Sequence, residues 1–405
     1  MESGEVMRSR VKVGIGMCLL WSWLAAAHAQ AQTAWPAERA QPSAAVLGAA
    51  SSAIETEQSA STSSGQLLAR SSTLTAYDGR LFLRGVPLAK MGINVPQAGT
   101  HYDVNAGCGA PVDLTVLFDR LPKNTLVRVF FGQDLTINAE TGQRDWRGLD
   151  RVVSAAEASP SQPILIAALT NQWGICDGGG YKDQSWYAGG FRQPFVEYPD
   201  GLPRVSYWSY LAEVTNRYGA SPAIGIWEPA GEAEASICRR TATDRTCGSA
   251  SLTCPPDAPK TLQAFFEKVA PVIRRRARGA LIASGAIGGG QCGWNAALEA
   301  SAALDILTVH DYSTGEGLHP AGAATMVRAS RRGKPVLLEE VGLNARDQVG
   351  CNSTQHRADV LQHKAAAAGA LGADAVLLWA YGEGSTACDY YIGPNDPDFA
   401  LLYRG

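Results

Sequence analysis

The sequence predicts an α/β fold, a (β/α)8 TIM barrel with long, disulfide-stiffened loops at its C-terminal face. Three observations predict it. From about Leu74 onward, short apolar runs of strand length alternate with longer amphipathic stretches, which implies a parallel sheet with helical crossovers. Eight such units can be counted, the number that closes a parallel sheet on itself. Two of the apolar runs end abruptly in glutamates, and acidic side chains are costly in a strand core, so they belong at the strands' C-terminal rim. A doubly wound open sheet is the competing fold, but no Gly-x-Gly-x-x-Gly follows the first strand.

In chain order, residues 1–29 have the marks of a secretory signal peptide. Arg8, Arg10 and Lys12 precede an apolar stretch from Val13 to Ala27, closed by Ala27-His28-Ala29. Residues 30–72 are rich in Ala, Ser, Gln and Thr, lack hydrophobic periodicity and read as a flexible linker. The barrel domain takes residues 73–405. Its predicted strands are Leu88–Val95, Thr125–Phe131, Pro163–Leu169, Ala223–Trp227, Ala280–Ser284, Asp305–Val309, Pro335–Glu339 and Ala375–Trp379. Helices fit between them, for instance Ser206–Tyr218, Leu262–Arg278 and Gln355–Leu371. The second of these sets Leu262, Phe265, Phe266, Val269 and Val272 on one face and closes on basic residues.

A net charge of −3 argues against nucleic acid or an anionic membrane as partner. Of nine cysteines, Cys18 leaves with the signal peptide, and an even number in an exported chain points to disulfides. Six of the remainder follow predicted strands one, three, four, five, seven and eight, on the rim where long loops lie. Cys247 and Cys254 are expected to close a small local loop in the insertion after strand four. There is no Cys-x-x-Cys, no His-Glu-x-x-His and no tight histidine cluster, so no metal and no other cofactor is expected. Gly285–Gln291 is glycine-rich but lacks the spacing and the Lys-Ser/Thr of a phosphate loop.

The chemistry lies in two segments, Ile-Trp-Glu-Pro-Ala-Gly-Glu at 226–232 and Pro-Val-Leu-Leu-Glu-Glu-Val-Gly at 335–342. Two carboxylates from different strands, facing each other across one groove, can hydrolyse a glycosidic bond if one is protonated and the other ionised. Glu228, Glu232 and Glu234 crowd the end of strand four, and spacing alone leaves the acid among them open. Arg128 lies inside an apolar strand and needs a buried anion, for which Glu340 is the natural partner.

These segments resemble glycoside hydrolase family 5 of clan A, especially its β-mannanases. Trp227-Glu228 followed by Glu232 matches the family's Trp-Glu-x-x-Asn-Glu-Pro, which implies Glu232 as general acid/base. An alternative register uses Glu228, because Glu228-Pro229 is a literal Glu-Pro. Gly231 stands where the family has an asparagine that hydrogen-bonds the substrate's 2-hydroxyl, and Ala233 replaces the proline. Lys334–Gly342 resembles the family's strand-seven segment and implies Glu340 as nucleophile. Glu339 beside it is expected to point the other way and serve structure. His310-Asp311-Tyr312 is similar to the family's His-x-Tyr, in which the tyrosine bonds the nucleophile and the histidine touches the sugar. Trp379 matches the tryptophan under the −1 sugar. Asp78–Asn94 resembles the family's N-terminal hairpin and first strand, with Asn94 at the rim. Trp173, Trp186 and Tyr181, in the loop after strand three, are expected to form outer subsites.

The resemblance spans roughly residues 74–400. It implies catalytic Glu232 and Glu340, with Arg128, Asn94, Trp173, Glu228, His310, Tyr312 and Trp379 around the substrate. The implied activity is that of a secreted, extracellular or periplasmic retaining glycosidase. It would cleave β-1,4-linked polysaccharide, mannan first, by double displacement, as a monomer and without a cofactor. A β-1,4-glucanase and an exo-β-mannosidase are the alternatives within the clan. A barrel that binds glycan with little turnover is the alternative class; Gly231 favours it, and the intact set of Glu232, Glu340, Tyr312 and Arg128 opposes it.

Overall fold

The computed structural model describes residues 74–404 apart from 178–179, 195–203, 239–246, 248–251, 288–291, 293–294, 347–348 and 383–387. The expected signal peptide and linker lie outside the described residues, as do residues 288–291 of the Gly285–Gln291 run.

Eight parallel strands form one sheet: β1 Lys90–Asn94, β2 Leu126–Phe130, β3 Ile164–Ala168, β4 Ile224–Glu228, β5 Leu281–Ile282, β6 Leu307–Asp311, β7 Val336–Val341 and β8 Ala375–Leu378. Each lies within two residues of its predicted bounds. Their order runs β5-β4-β3-β2-β1-β8-β7-β6. The two edges meet through a parallel bridge between Ala283 and Ile306, flanked by Ser284 N–H donating to Ile306 O (3.0 Å), so the sheet closes into the predicted barrel. The strands are apolar on both faces because one side lines the barrel and the other meets helices.

Crossover helices link successive strands: α1 Leu114–Arg120, α2 Arg147–Ala158, α3 Tyr207–Tyr218, α4 Ala258–Arg276, α5 Asn295–Ala300, α6 Pro320–Arg331 and α7 Thr354–Ala370. Helix α4 has a proline in its first turn and Arg274, Arg275 and Arg276 in its last, both favourable to the helix ends. It buries Leu262, Phe265, Phe266, Val269 and Val272 as the periodicity requires. An antiparallel hairpin, Leu74–Tyr77 with Arg80–Leu83, turns at Asp78-Gly79, both in the left-handed region that such tight turns need. Leu74 and Leu81 from this hairpin pack with Leu126, Ile166, Ile226 and Leu337, so it plugs the barrel's N-terminal end. The opposite end is left to function.

Four disulfides join the described cysteines: Cys108–Cys176, Cys238–Cys247, Cys254–Cys292 and Cys351–Cys388. All lie on loops that follow strands, so they stiffen the C-terminal face. The expected Cys247–Cys254 link is corrected. Ile237–Cys238 and Leu252–Thr253 pair as a short antiparallel ribbon, and Cys254 leaves it to reach the loop after β5. Among the described residues no helix is long and apolar enough to cross a membrane.

Candidate active site

Arg128 stands at the middle of β2, 1 % exposed, because the pleat turns its side chain into the barrel. Its Nε and Nη2 donate to Glu228 at 2.6 and 2.8 Å, a two-pronged pair, and its Nη1 donates to Glu340 at 2.5 Å and to Asn94 Oδ1 at 3.1 Å. The expected Arg128–Glu340 contact is therefore present. Asn94, at the end of β1, has no exposed surface, and its Nδ2 donates to the carbonyls of Glu339 (2.9 Å) and Leu378 (3.2 Å). The resemblance places Asn94, Glu228 and Arg128 around the substrate. All three are buried and bonded through Arg128, which also holds Glu340. Burial works against the Arg128 charge, but Glu228, Glu340 and Glu339 raise its pKa well above the usual value. Burial likewise pushes the Glu228 carboxyl up to about 7, against the pull of Arg128.

Glu232 lies four residues past the end of β4, on a turn pinned to both neighbouring strands. Gly231 N–H donates to Thr170 O at 2.8 Å, and Glu232 N–H donates to Gly285 O at 2.6 Å. Its φ of +53° lies in the left-handed region, a strained setting for a residue with a side chain and one that recurs at functional sites. Both carboxylate oxygens are engaged. Trp173 Nε1 donates to Oε2 at 2.7 Å, and His310 Nδ1 lies 2.8 Å from Oε1. Two glycines make room. A Cβ at Gly285, whose φ is +62°, would lie 2.4 Å from Ala230 O, and one at Gly231 would lie 2.9 Å from both Arg128 Nη2 and Glu228 Oε1. An asparagine in place of Gly231 would thus displace the Arg128–Glu228 pair.

Strand β7 departs from the expected alternation. Its register shifts against both neighbours, between Val309 and His310 on one side and between Leu338 and Val341 on the other. Such a bulge lets two consecutive side chains face the same way. Glu340 reaches Arg128 and also accepts from Tyr312 Oη at 2.5 Å. Glu339, expected on the far side, also faces inward: its Oε2 lies 3.4 Å from His310 Nε2. Burial raises the Glu340 pKa, opposed by His310 and Arg128, and burial with the Glu340 charge keeps Tyr312 protonated as a donor.

One carboxylate oxygen of Glu232, one of Glu340 and a ring nitrogen of His310 all lie within 4.8 Å of one another. Burial alone would lower the His310 pKa, but Glu340, Glu232 and Glu339 raise it to about 10. The cluster therefore carries its own positive charge on Arg128 and His310, which suits acid–base work better than cation binding. Trp379, half-buried just past the end of β8, packs beside Phe130 with ring centroids 6.3 Å apart.

The loop aromatics divide. Trp173 touches Glu232 directly. Trp186 is buried among Tyr187, Phe191, Tyr207 and Phe265, and Tyr181 is buried with its hydroxyl on Ser236. Both belong to packing. Tyr390, which the sequence reading did not single out, packs edge-on against Tyr312 at 5.4 Å; it lies in a loop with no motif to mark it. Glu234 is buried nearby, its N–H donating to Gln172 Oε1 at 3.1 Å.

Comparison with known proteins agrees with this fold. The chain is similar to mannan endo-1,4-β-mannosidase A of Emericella nidulans, 26 % identical over 336 residues that cover 78 % of this chain and 73 % of that protein. Among solved structures, the endo-1,4-β-mannanase from Rhizomucor miehei superposes with a TM-score of 0.58 at 18 % identity, covering 82 % of this chain and 97 % of that one. The family 5 mannosidase from the same organism does so at 0.55 and 15 %, covering 84 % and 97 %. At such identities these structures share the barrel. No family model matches the chain.

Proposed function

We propose that this chain is a retaining glycoside hydrolase of the family 5 kind, acting on β-1,4-linked mannan. The observation that carries the reading is the pairing of Glu232 with Glu340, whose oxygens come within 4.8 Å of each other from opposite sides of the barrel mouth. So close an approach is in keeping with a retaining pair, whose carboxyl groups stand roughly 5–5.5 Å apart. In this reading Glu340, held by Arg128 and Tyr312, attacks the anomeric carbon while Glu232 protonates the departing oxygen. Glu232 then removes a proton from the water that releases the sugar. The literal Glu-Pro register loses support, because Glu228 has no exposed surface and both its oxygens accept from Arg128. Trp379 and Tyr390 are suited to the apolar faces of pyranose rings. The likeness to mannan endo-1,4-β-mannosidase A supports mannan and internal cleavage, and four disulfides suit an exported protein acting on its polymer outside the cell.

The test is incubation with mannan, glucan and xylan of β-1,4 linkage, reading new reducing ends. Mannan should release them fastest. Glu340→Gln should abolish release while leaving glycan binding intact, because the amide keeps the shape but cannot attack. Binding without release by the unaltered protein would reassign the barrel to glycan recognition.

A further inference from the structure

The bulge in β7 turns inward a carboxylate that the two-glutamate reaction does not use. Glu339 is fully buried, with Oε2 3.4 Å from His310 Nε2 and 3.9 Å from Arg128 Nε, and Oε1 has no hydrogen-bond partner among the described residues. A buried carboxylate is strongly unfavourable without a facing cation. Arg128 is already bonded to Glu228 and Glu340, which leaves the imidazole. His310 is bracketed in turn: its Nδ1 lies 2.8 Å from Glu232 Oε1 and 3.3 Å from Glu340 Oε2. Three carboxylates thus face one ring, from the turn after β4 and from two successive positions of β7, while Tyr312, just past the end of β6, donates to Glu340. A neutral imidazole has one N–H and would set a lone pair against a carboxylate on its other side; the imidazolium donates on both.

We propose that Glu339 is a positioning residue that anchors His310 through Nε2 and makes it the proton store of the acid/base glutamate, along the line Glu339–His310–Glu232. The proposal rests on Glu232 being that glutamate. Before reaction His310 is an imidazolium, and Glu232 is a carboxylate accepting from Trp173 and His310. As Glu340 bonds to the sugar it loses its negative charge, and the imidazolium loses one of its three anionic neighbours. The proton then moves from His310 Nδ1 to Glu232 Oε1 and on to the departing glycosidic oxygen. The neutral ring keeps its Nε2–H towards Glu339. In the second half-reaction Glu232 takes a proton from the attacking water and returns it to Nδ1, so the cycle closes with no net proton gained. Arg128, packed against Glu339 from β2, keeps its charge throughout.

Glu339→Gln keeps the shape and removes the charge. On β-1,4-mannan, whose leaving group needs an acid, turnover should fall at least about tenfold. The basic limb of its kcat/KM profile should move down by roughly one pH unit. A dinitrophenyl β-mannoside needs no acid and should change less than about threefold. Nitrogen NMR of histidine-labelled wild-type protein, with the His310 signal assigned by its loss in His310→Asn, should show both ring nitrogens protonated at pH 8. A neutral His310 at that pH overturns the proposal. So does a Glu339→Gln enzyme with an unmoved pH profile and equal losses on both substrates, the signature of a merely structural role. If Glu339→Gln fails to fold, the wild-type spectrum decides alone. If no glycan is cleaved at all, the assignment of function falls, and the ring's protonation still decides the Glu339–His310 link.

Discussion

Arg128 faces Glu228, Glu340 and Glu339 with one unit of charge between them, and the deficit explains much of the site's behaviour. Burial raises Glu228 and Glu340, and His310 is drawn into its charged form, because a buried cluster lowers its energy by binding protons. Removing the guanidinium strips the cluster of its main cation. Arg128→Met should therefore destabilise the fold by about 3–5 kcal/mol in chemical denaturation, and adding Glu228→Met should recover part of that loss. A variant within experimental error of the parent would show that Arg128 is not the anchor described. The neighbouring question is which glutamate supplies the proton. Glu232→Ala should slow poor leaving groups most, and azide should restore activity on an activated aryl glycoside by taking the vacated space. Glu228→Ala should not respond to azide; rescue there, and none at position 232, moves the acid role to Glu228.

At the scale of elements, the loops after β3, β4 and β5 converge on Glu232, which hydrogen-bonds Trp173 from the first and Gly285 from the last. Cys254–Cys292 ties the second of these loops to the third. Replacing both cysteines by serine should lower stability by about 2–4 kcal/mol, and turnover should fall as well, because the turn carrying Glu232 loses its brace. Unchanged denaturation and turnover would assign that bridge no part in the site. Strands were the most legible elements: runs such as Leu126–Phe130, buried on both faces, can be read without knowing their neighbours. The bulge in β7 was not legible, because it is set by pairing with β6 and β8, and alternation alone sent Glu339 to the wrong side. The expected Cys247–Cys254 link failed for a like reason: the local ribbon sets Cys238 with Cys247, and Cys254 pairs across to the loop after β5. Arg128 was readable because a guanidinium inside an apolar strand has few physical explanations, whereas Tyr312 and the choice of Glu232 and Glu340 came from the resemblance to the family's motifs. Trp186 and Trp173 look alike in sequence, and only packing separates a core aromatic from one that touches Glu232.

For the molecule as a whole, the hairpin closes one end of the barrel, the disulfides brace the other, and the charge cluster lies between them, so its protonation is coupled to folding. His310 is raised from 6.5 to about 10 in the folded state, which means that the folded chain binds this proton more tightly than the unfolded chain. Its contribution to stability is complete below about pH 6.5 and is lost as pH rises towards 10. Glu228 acts in the same sense over a lower window: raised from 4.5 to about 7, it stabilises fully below pH 4.5 and ceases to do so by about 7. Carboxylates that are paired on a protein surface do the opposite and favour folding as pH rises, as Asp145 beside Arg147 does, lowered to about 2 by that hydrogen bond. Above about pH 7 such ordinary carboxylates are ionised in both states and the Glu228 contribution is spent, so the part of the slope that belongs to His310 is the difference between the wild-type protein and His310→Asn. The melting temperature of the wild-type protein should therefore fall between pH 6.5 and 10, and His310→Asn should flatten that fall while lowering stability at pH 6. Parallel melting curves for the two proteins across this range would mean that the imidazolium is not retained on folding, and the charge balance drawn for the site would fail with it.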